Sequence, residues 1–127
     1  MEDKIRILCV DDEMFYLKSC ERALRKISNA VTLTAGNPLE ALSMIPEYMP
    51  QIVISDFQMP GMNGYDFLEK LRKEYPHIKN ILMSGNALLI QKPISEVADV
   101  LLEKPFENDD LVCVVEALIS QISQKPL

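Results

Sequence analysis

The sequence predicts an α/β protein built on a parallel sheet with helices on both faces, and three observations predict it. Short apolar or β-branched runs alternate along the chain with stretches whose apolar residues recur every three or four positions. The runs are continuously apolar, as in Ile5–Val10 and Ile52-Val53-Ile54, whereas a strand with one wet face would alternate. With 127 residues the chain has the size of one ordinary domain, so its units share one core.

Ile5–Val10 is the first strand, closed by Asp11, Asp12 and Glu13. Over residues 14–27, Leu17, Cys20, Leu24 and Ile27 make one face of a helix. Residues 31–35 are a second β-branched run. Asn37-Pro38-Leu39-Glu40 then supplies a cap, a proline in the first turn and a glutamate at the third position, and Leu39, Leu42 and Ile45 line the helix that follows. Ile52-Val53-Ile54 is the third strand and leads into Asp56. Pro60, Gly61 and Gly64 make residues 58–64 a loop, ahead of a helix with Phe67, Leu68 and Leu71 on one side.

Residues 80–83 form a fourth strand ending at Ser84-Gly85, and Val100–Glu103 a fifth ending at Lys104-Pro105. Leu111, Val115, Leu118 and Ile122 are the stripe of a last helix. The expected organisation is therefore five β/α units in a single domain, residues 1–127, with its core over about 4–123 and a polar tail or linker start at 124–127. The fourth unit is the weak one. Pro93 lies inside residues 87–97, where it breaks or kinks a helix, so the fourth helix is expected to be short or irregular.

Composition excludes several classes. Hydrophobic residues at 48% and charged residues at 25% describe a globular chain, and a net charge of −6 repels nucleic acid and anionic membranes. No apolar run approaches membrane-spanning length, and the opening Met1-Glu2-Asp3-Lys4 lacks a basic-then-apolar signal pattern. Cys9, Cys20 and Cys113 are odd in number, far apart and set in apolar runs. They read as buried reduced thiols of a cytoplasmic protein, not as a disulfide framework or zinc site.

In an open α/β sheet, ligands bind beyond the carboxyl ends of the strands. Here those ends carry Asp11 and Asp12, then Asp56, Ser84 and Lys104. Each has an ordinary use as a cap, a turn residue or a solvated strand end. Together they would bring carboxylates, a hydroxyl and an amine to one edge. Carboxylates so crowded raise one another's pKa unless a cation neutralises them, and a hard dication such as Mg²⁺ suits an all-oxygen set. An aspartate can serve as the nucleophile in phosphoryl transfer, while a metal ion and a lysine stabilise the transferring oxygens.

The ordered set Asp11-Asp12-Glu13, Asp56 with Met59-Pro60-Gly61 and Asn63-Gly64, Ser84-Gly85 and Lys104-Pro105-Phe106 resembles the receiver domain of two-component response regulators, chemotaxis receivers among them. The resemblance runs over essentially the whole chain. It implies a flavodoxin-like doubly wound sheet of order 2-1-3-4-5 with five helices, and a cis Lys104-Pro105 bond. It also implies that Asp56 takes a phosphoryl group from a sensor histidine kinase, a phosphotransfer protein or a small donor. Asp12, Asp56 and the Gln58 carbonyl would ligate Mg²⁺, with Asp11 acting mainly through water. Lys104 would pair with the phosphoryl group and Ser84 would move toward it. The phosphorylated surface around the fourth helix, fifth strand and fifth helix would be read by a downstream effector domain or protein, or would pair in a homodimer. Catalysis would extend only to the domain's own phosphorylation and dephosphorylation.

Two departures qualify that pattern. Leu101 stands where the family often has an aromatic residue, so switching is expected to run through the order of residues 86–99 more than through ring rotation. Gln58 and Asn86, two residues beyond Asp56 and Ser84, take the positions that border the hydrolytic water in the family. A receiver fold kept as an interaction module without phosphorylation is the alternative. A haloacid-dehalogenase-like phosphatase is disfavoured, because its two aspartates are separated by one residue and Asp11 and Asp12 are adjacent. A single-domain regulator and a receiver from a longer protein both remain open.

Overall fold

The structure is a computed structural model that describes residues 4–123; the polar tail expected at 124–127 lies outside the described residues. The strands are β1 (Ile5–Val10), β2 (Ala30–Ala35), β3 (Ile52–Asp56), β4 (Lys79–Ser84) and β5 (Val100–Glu103). The helices are α1 (Met14–Leu24), α2 (Pro38–Tyr48), α3 (Gly64–Glu74) and α4 (Asn108–Ser123). All sheet pairings are parallel and the order is β2-β1-β3-β4-β5, as expected.

The continuously apolar strands have two buried faces to fill. On one, Ile7, Cys9, Ile54 and Met83 pack with Leu17, Cys20 and Leu24 of α1 and Leu111, Val115 and Leu118 of α4. On the other, Leu8, Val10, Val53 and Leu82 meet Ala41 and Ile45 of α2 and Phe67, Leu68 and Leu71 of α3. Neighbouring residues of one strand thus enter opposite layers, the pleat's period of two. Cys9 and Cys20 are buried as expected; Cys113 is exposed on α4, off that helix's apolar stripe. No helix among the described residues is long and apolar enough to cross a membrane.

Local signals act where the sequence places them. The Asn37 side chain accepts the Glu40 N–H at 2.8 Å, and the Glu40 carboxylate accepts the Gly36 N–H at 2.7 Å, so the start of α2 satisfies its free donors reciprocally. Helix α1 stops at Leu24 and not at Ile27, yet a tight turn with the Ile27 N–H on the Leu24 carbonyl (3.0 Å) still delivers Ile27 to the core.

The fourth helix is a correction. The resemblance implied five helices; the described residues hold four α-helices, and the unit between β4 and β5 contains only two single 3-10 turns, Ala87–Leu89 and Ile94–Glu96. Pro93 caps the second turn, where its missing N–H costs nothing, but it cannot sit inside a helix. Without a helical face, Leu88 and Leu89 point outward. The segment is nonetheless pinned at its far end. The Tyr65 hydroxyl donates to the Pro93 carbonyl (2.8 Å), and the Asn80 and Arg72 side chains donate to that of Val97 (2.9 and 3.1 Å). Asp99 accepts the buried Asn80 backbone N–H at 2.8 Å and pairs with Arg72 at 3.3 Å.

Asp99→Ala leaves the Asn80 N–H in the core without its acceptor, which costs about 1–3 kcal/mol. A lower urea midpoint with an unchanged slope is the expected reading; an unaltered midpoint means that the latch contributes nothing.

Candidate functional site

Strand register builds the site. Val10 pairs with Ser55, Ser55 with Leu82 and Leu82 with Leu101, so the four strands end nearly level. Asp11, Asp56, Ser84 and Lys104 therefore lie within a few residues of one edge, at the point where the chain's crossovers diverge from β1 and β3. Gly64 completes the floor. Its N–H donates to the Phe57 carbonyl at 2.7 Å, and a Cβ there would overlap the Asp56 carbonyl, so only glycine lets α3 start this close to the strand.

The structure brings the predicted residues together unequally. Asp11 is 1% exposed and Asp56 6%, while Asp12 is open to solvent. One carboxylate oxygen from each of the three lies within 4.8 Å of the others. The Lys104 ammonium joins this group, 2.9 Å from Asp56 Oδ1 and 3.2 Å from Asp11 Oδ2, with only 8% of its side chain exposed. The Lys104 backbone N–H donates to the Ser84 carbonyl at 2.8 Å, and the Lys104-Pro105 peptide is cis. Ser84 is buried, and its hydroxyl accepts the Asn86 N–H at 3.1 Å. Gln58 is exposed and lines the mouth of an open cleft of about 550 Å³, together with Asp12, Asp56, Lys104, Tyr16 and Gly85.

Sequence reasoning passed over two residues here. Tyr16, on the first turn of α1, has its ring centroid 3.6 Å from Lys104 Nζ. Its only signal was an aromatic residue off the Leu17-Cys20-Leu24 stripe, just beyond the acidic end of β1. Gly64 had been assigned only to a loop; nothing in the chain announced that it abuts Asp56.

Three carboxylates against one ammonium leave two formal negative charges at the edge. Burial pushes the Asp11 carboxyl above its ordinary range and the Asp56 charge adds to it, against the Glu13 N–H and Lys104, which favour the ionised form. For Lys104, burial works against the ammonium, but the hydrogen bond to Asp56 and the charges of Asp11 and Asp56 outweigh it and hold the pKa up. The excess charge and the oxygen-only donors fit one hard divalent cation, with Asp11, Asp12, Asp56 and the Gln58 carbonyl as the residues to hold it.

The chain matches the family described as the response regulator receiver domain over residues 7–116. It is 29% identical to the response regulator Rre1 of Synechocystis over 95% of this chain and 54% of that protein. It thus spans about half the length of that relative. It is 33% identical to the two-component response regulator ARR17 of Arabidopsis thaliana, over 87% of this chain and 82% of that one. A CheY-like receiver domain protein of Methanospirillum hungatei superposes with a TM-score of 0.85 at 29% identity, over 97% of this chain and 100% of the other.

Asp11→Asn keeps an acceptor for the Glu13 N–H and removes a charge that burial disfavours, so in metal-free buffer at pH 7 it raises the melting temperature. The carboxyl's folded pKa stands above 3.8, so the penalty applies while Asp11 is ionised and fades as pH falls toward 3.8, where both states are protonated. The gain over wild type should shrink accordingly in melts at decreasing pH. Mg²⁺ at about a hundred times its dissociation constant should stabilise the wild type by about 2.7 kcal/mol, and the variant less. A variant less stable than wild type at pH 7 means that the lost Lys104 pair outweighs the burial penalty.

Proposed function

This chain belongs to the response regulator receiver domain family, and from that premise we propose that it is a phosphoacceptor whose nucleophile is Asp56. The observation that carries the reading is Lys104, held between the Asp11 and Asp56 carboxylates at 3.2 and 2.9 Å on the floor of an open cleft.

Chemically, an Asp56 oxygen attacks the donor phosphorus. The donor's bond to phosphorus breaks with its electron pair, and a mixed carboxylic–phosphoric anhydride remains on Asp56. Mg²⁺, held by Asp11, Asp12, Asp56 and the Gln58 carbonyl, supplies neutralising charge for the phosphoryl oxygens. Lys104 adds a fixed positive charge on the opposite side, already aimed at Asp56, so little reorganisation is needed. The open mouth lets a bulky donor in, which suits a histidine kinase or phosphotransfer protein as well as a small acyl phosphate.

Ser84 couples the site to the surface. To hydrogen-bond the new phosphoryl group its hydroxyl must leave the Asn86 N–H, and Asn86 caps the first 3-10 turn through its side chain at 3.1 Å from the Leu88 N–H. The response therefore passes into residues 86–99, the surface offered to a downstream effector domain or protein, or to a second copy. Leu101, half-buried on β5, carries no ring to rotate. The domain is not an enzyme toward other substrates, its acidity makes nucleic acid an unsuitable partner, and its buried thiols suit the cytoplasm.

Incubated with Mg²⁺ and acetyl phosphate, the wild type should gain one phosphoryl group by intact mass, and Asp56→Asn none. Beryllofluoride should then speed amide exchange at residues 86–99. No gain in mass together with no Mg²⁺ binding would leave a receiver fold used only as a binding module.

A further inference from the structure

The geometry points to Tyr16 as the positioning residue for Lys104, its ring face keeping the ammonium over Asp56 while the carboxylates turn to metal and phosphoryl. This rests on the phosphoacceptor reading above and assigns a role to a residue outside the ordered motif set.

The ammonium has three N–H directions. Two are taken by Asp56 and Asp11, and on a further side Lys104 Nζ lies 3.6 Å from the Tyr16 ring centroid. That is well inside the roughly 6 Å reach of a cation–π contact, and the site's burial strengthens it. The ring stands where water would otherwise solvate the charge, which is why the lysine side chain is only 8% exposed. Phe15 braces it edge-on, at 5.6 Å between centroids and 81° between planes.

Placement of the ring depends on the same carboxylate that Lys104 meets. Asp11 Oδ1 accepts the Glu13 N–H at 2.9 Å, and the Glu13 carbonyl accepts the Tyr16 N–H at 3.1 Å. The first turn of α1 is thus set from Asp11, and Tyr16 follows it over the cleft.

The carboxylates cannot be constant partners of Lys104. When Asp56 becomes an anhydride it loses its charge, and when Asp11 and Asp12 face a divalent cation their pull on the ammonium weakens. A neutral aromatic ring neither ligates a hard cation nor takes part in the transfer. Tyr16 is therefore the contact of the ammonium that persists through the reaction. A four-carbon lysine stem without it is free to swing toward solvent.

Three proteins test this: wild type, Tyr16→Phe, which keeps the ring face, and Tyr16→Leu, which keeps the bulk. In the wild type and in Tyr16→Phe the Lys104 ε-methylene protons should show an upfield ring-current shift by NMR, lost in Tyr16→Leu. With Mg²⁺ and acetyl phosphate, Tyr16→Leu should load about tenfold more slowly, the factor of one desolvated cation–π contact, at unchanged apparent donor affinity. Tyr16→Phe should load within about twofold of wild type, since the face and not the hydroxyl carries the contact. A wild type without the ring-current shift overturns the geometry, and a Tyr16→Leu that loads at the wild-type rate overturns the role. A wild type that shows the shift and never loads overturns the phosphoacceptor reading instead, and with it any part for Tyr16 in transfer.

Discussion

The structure depends on one electrostatic constraint: three carboxylates share a sheet edge with a single ammonium among them. Asp11 follows β1, Asp56 ends β3 and Lys104 follows β5, so the ion pairs tie together three strand ends that are not all neighbours. Each other feature of the edge keeps these charges close. The strand register brings the ends level, Gly64 lets α3 press against Asp56, and Tyr16 shields the lysine. Breaking such a buried pair by removing one partner is far more costly than forming it is favourable, because the remaining charge is left in a poor dielectric. Lys104 is for that reason structural and functional at once.

Something must hold the charges where they do not settle by themselves. That is the role of the two apolar layers, which bury Ile7, Cys9, Ile54 and Met83 on one face and Leu8, Val10, Val53 and Leu82 on the other. Burying each such side chain contributes on the order of 1.5–3 kcal/mol, so a few of them outweigh a raised carboxyl pKa in the absence of metal. Stability is given up at the edge and supplied by the core.

Much of this was legible because two periods in the sequence coincide with two physical demands. The continuous runs at Ile5–Val10 and Ile52-Val53-Ile54 could only be strands covered on both sides, and Pro93 ruled out a regular helix in the fourth unit. The acidic, hydroxyl and amine side chains were readable as a site because topology alone puts them at one edge. Other features depend on distance through space and leave no local mark. The Gly64 approach to Asp56, the Tyr16 ring over Lys104 and the Asp99 latch on Asn80 each join residues whose pairing no spacing encodes. The strand order, too, came from resemblance, since periodicity is blind to which strand lies beside which.

The replacement of a helix by two short turns changes what a switch at this site has to overcome. A complete helix between β4 and β5 would resist loosening cooperatively, turn by turn. Here the near end of the segment is fastened by one neutral bond from the Asn86 N–H to Ser84 and one cap from Asn86 to Leu88, while the far end is locked by Arg72, Asn80 and Asp99. A neutral hydrogen bond contributes about 0.5–1.5 kcal/mol and one to a charged group about 1.5–3 kcal/mol. Moving the Ser84 hydroxyl from Asn86 to a phosphoryl oxygen therefore gains about 1 kcal/mol or more, comparable to what holds the first turn in place. The asymmetry of the fastening directs the change: the Asn86 end can yield while the Asp99 end stays fixed to β4. The exposed Leu88 and Leu89 ride on the end that yields, so the residues best suited to meet a partner are those whose setting the phosphoryl group alters most.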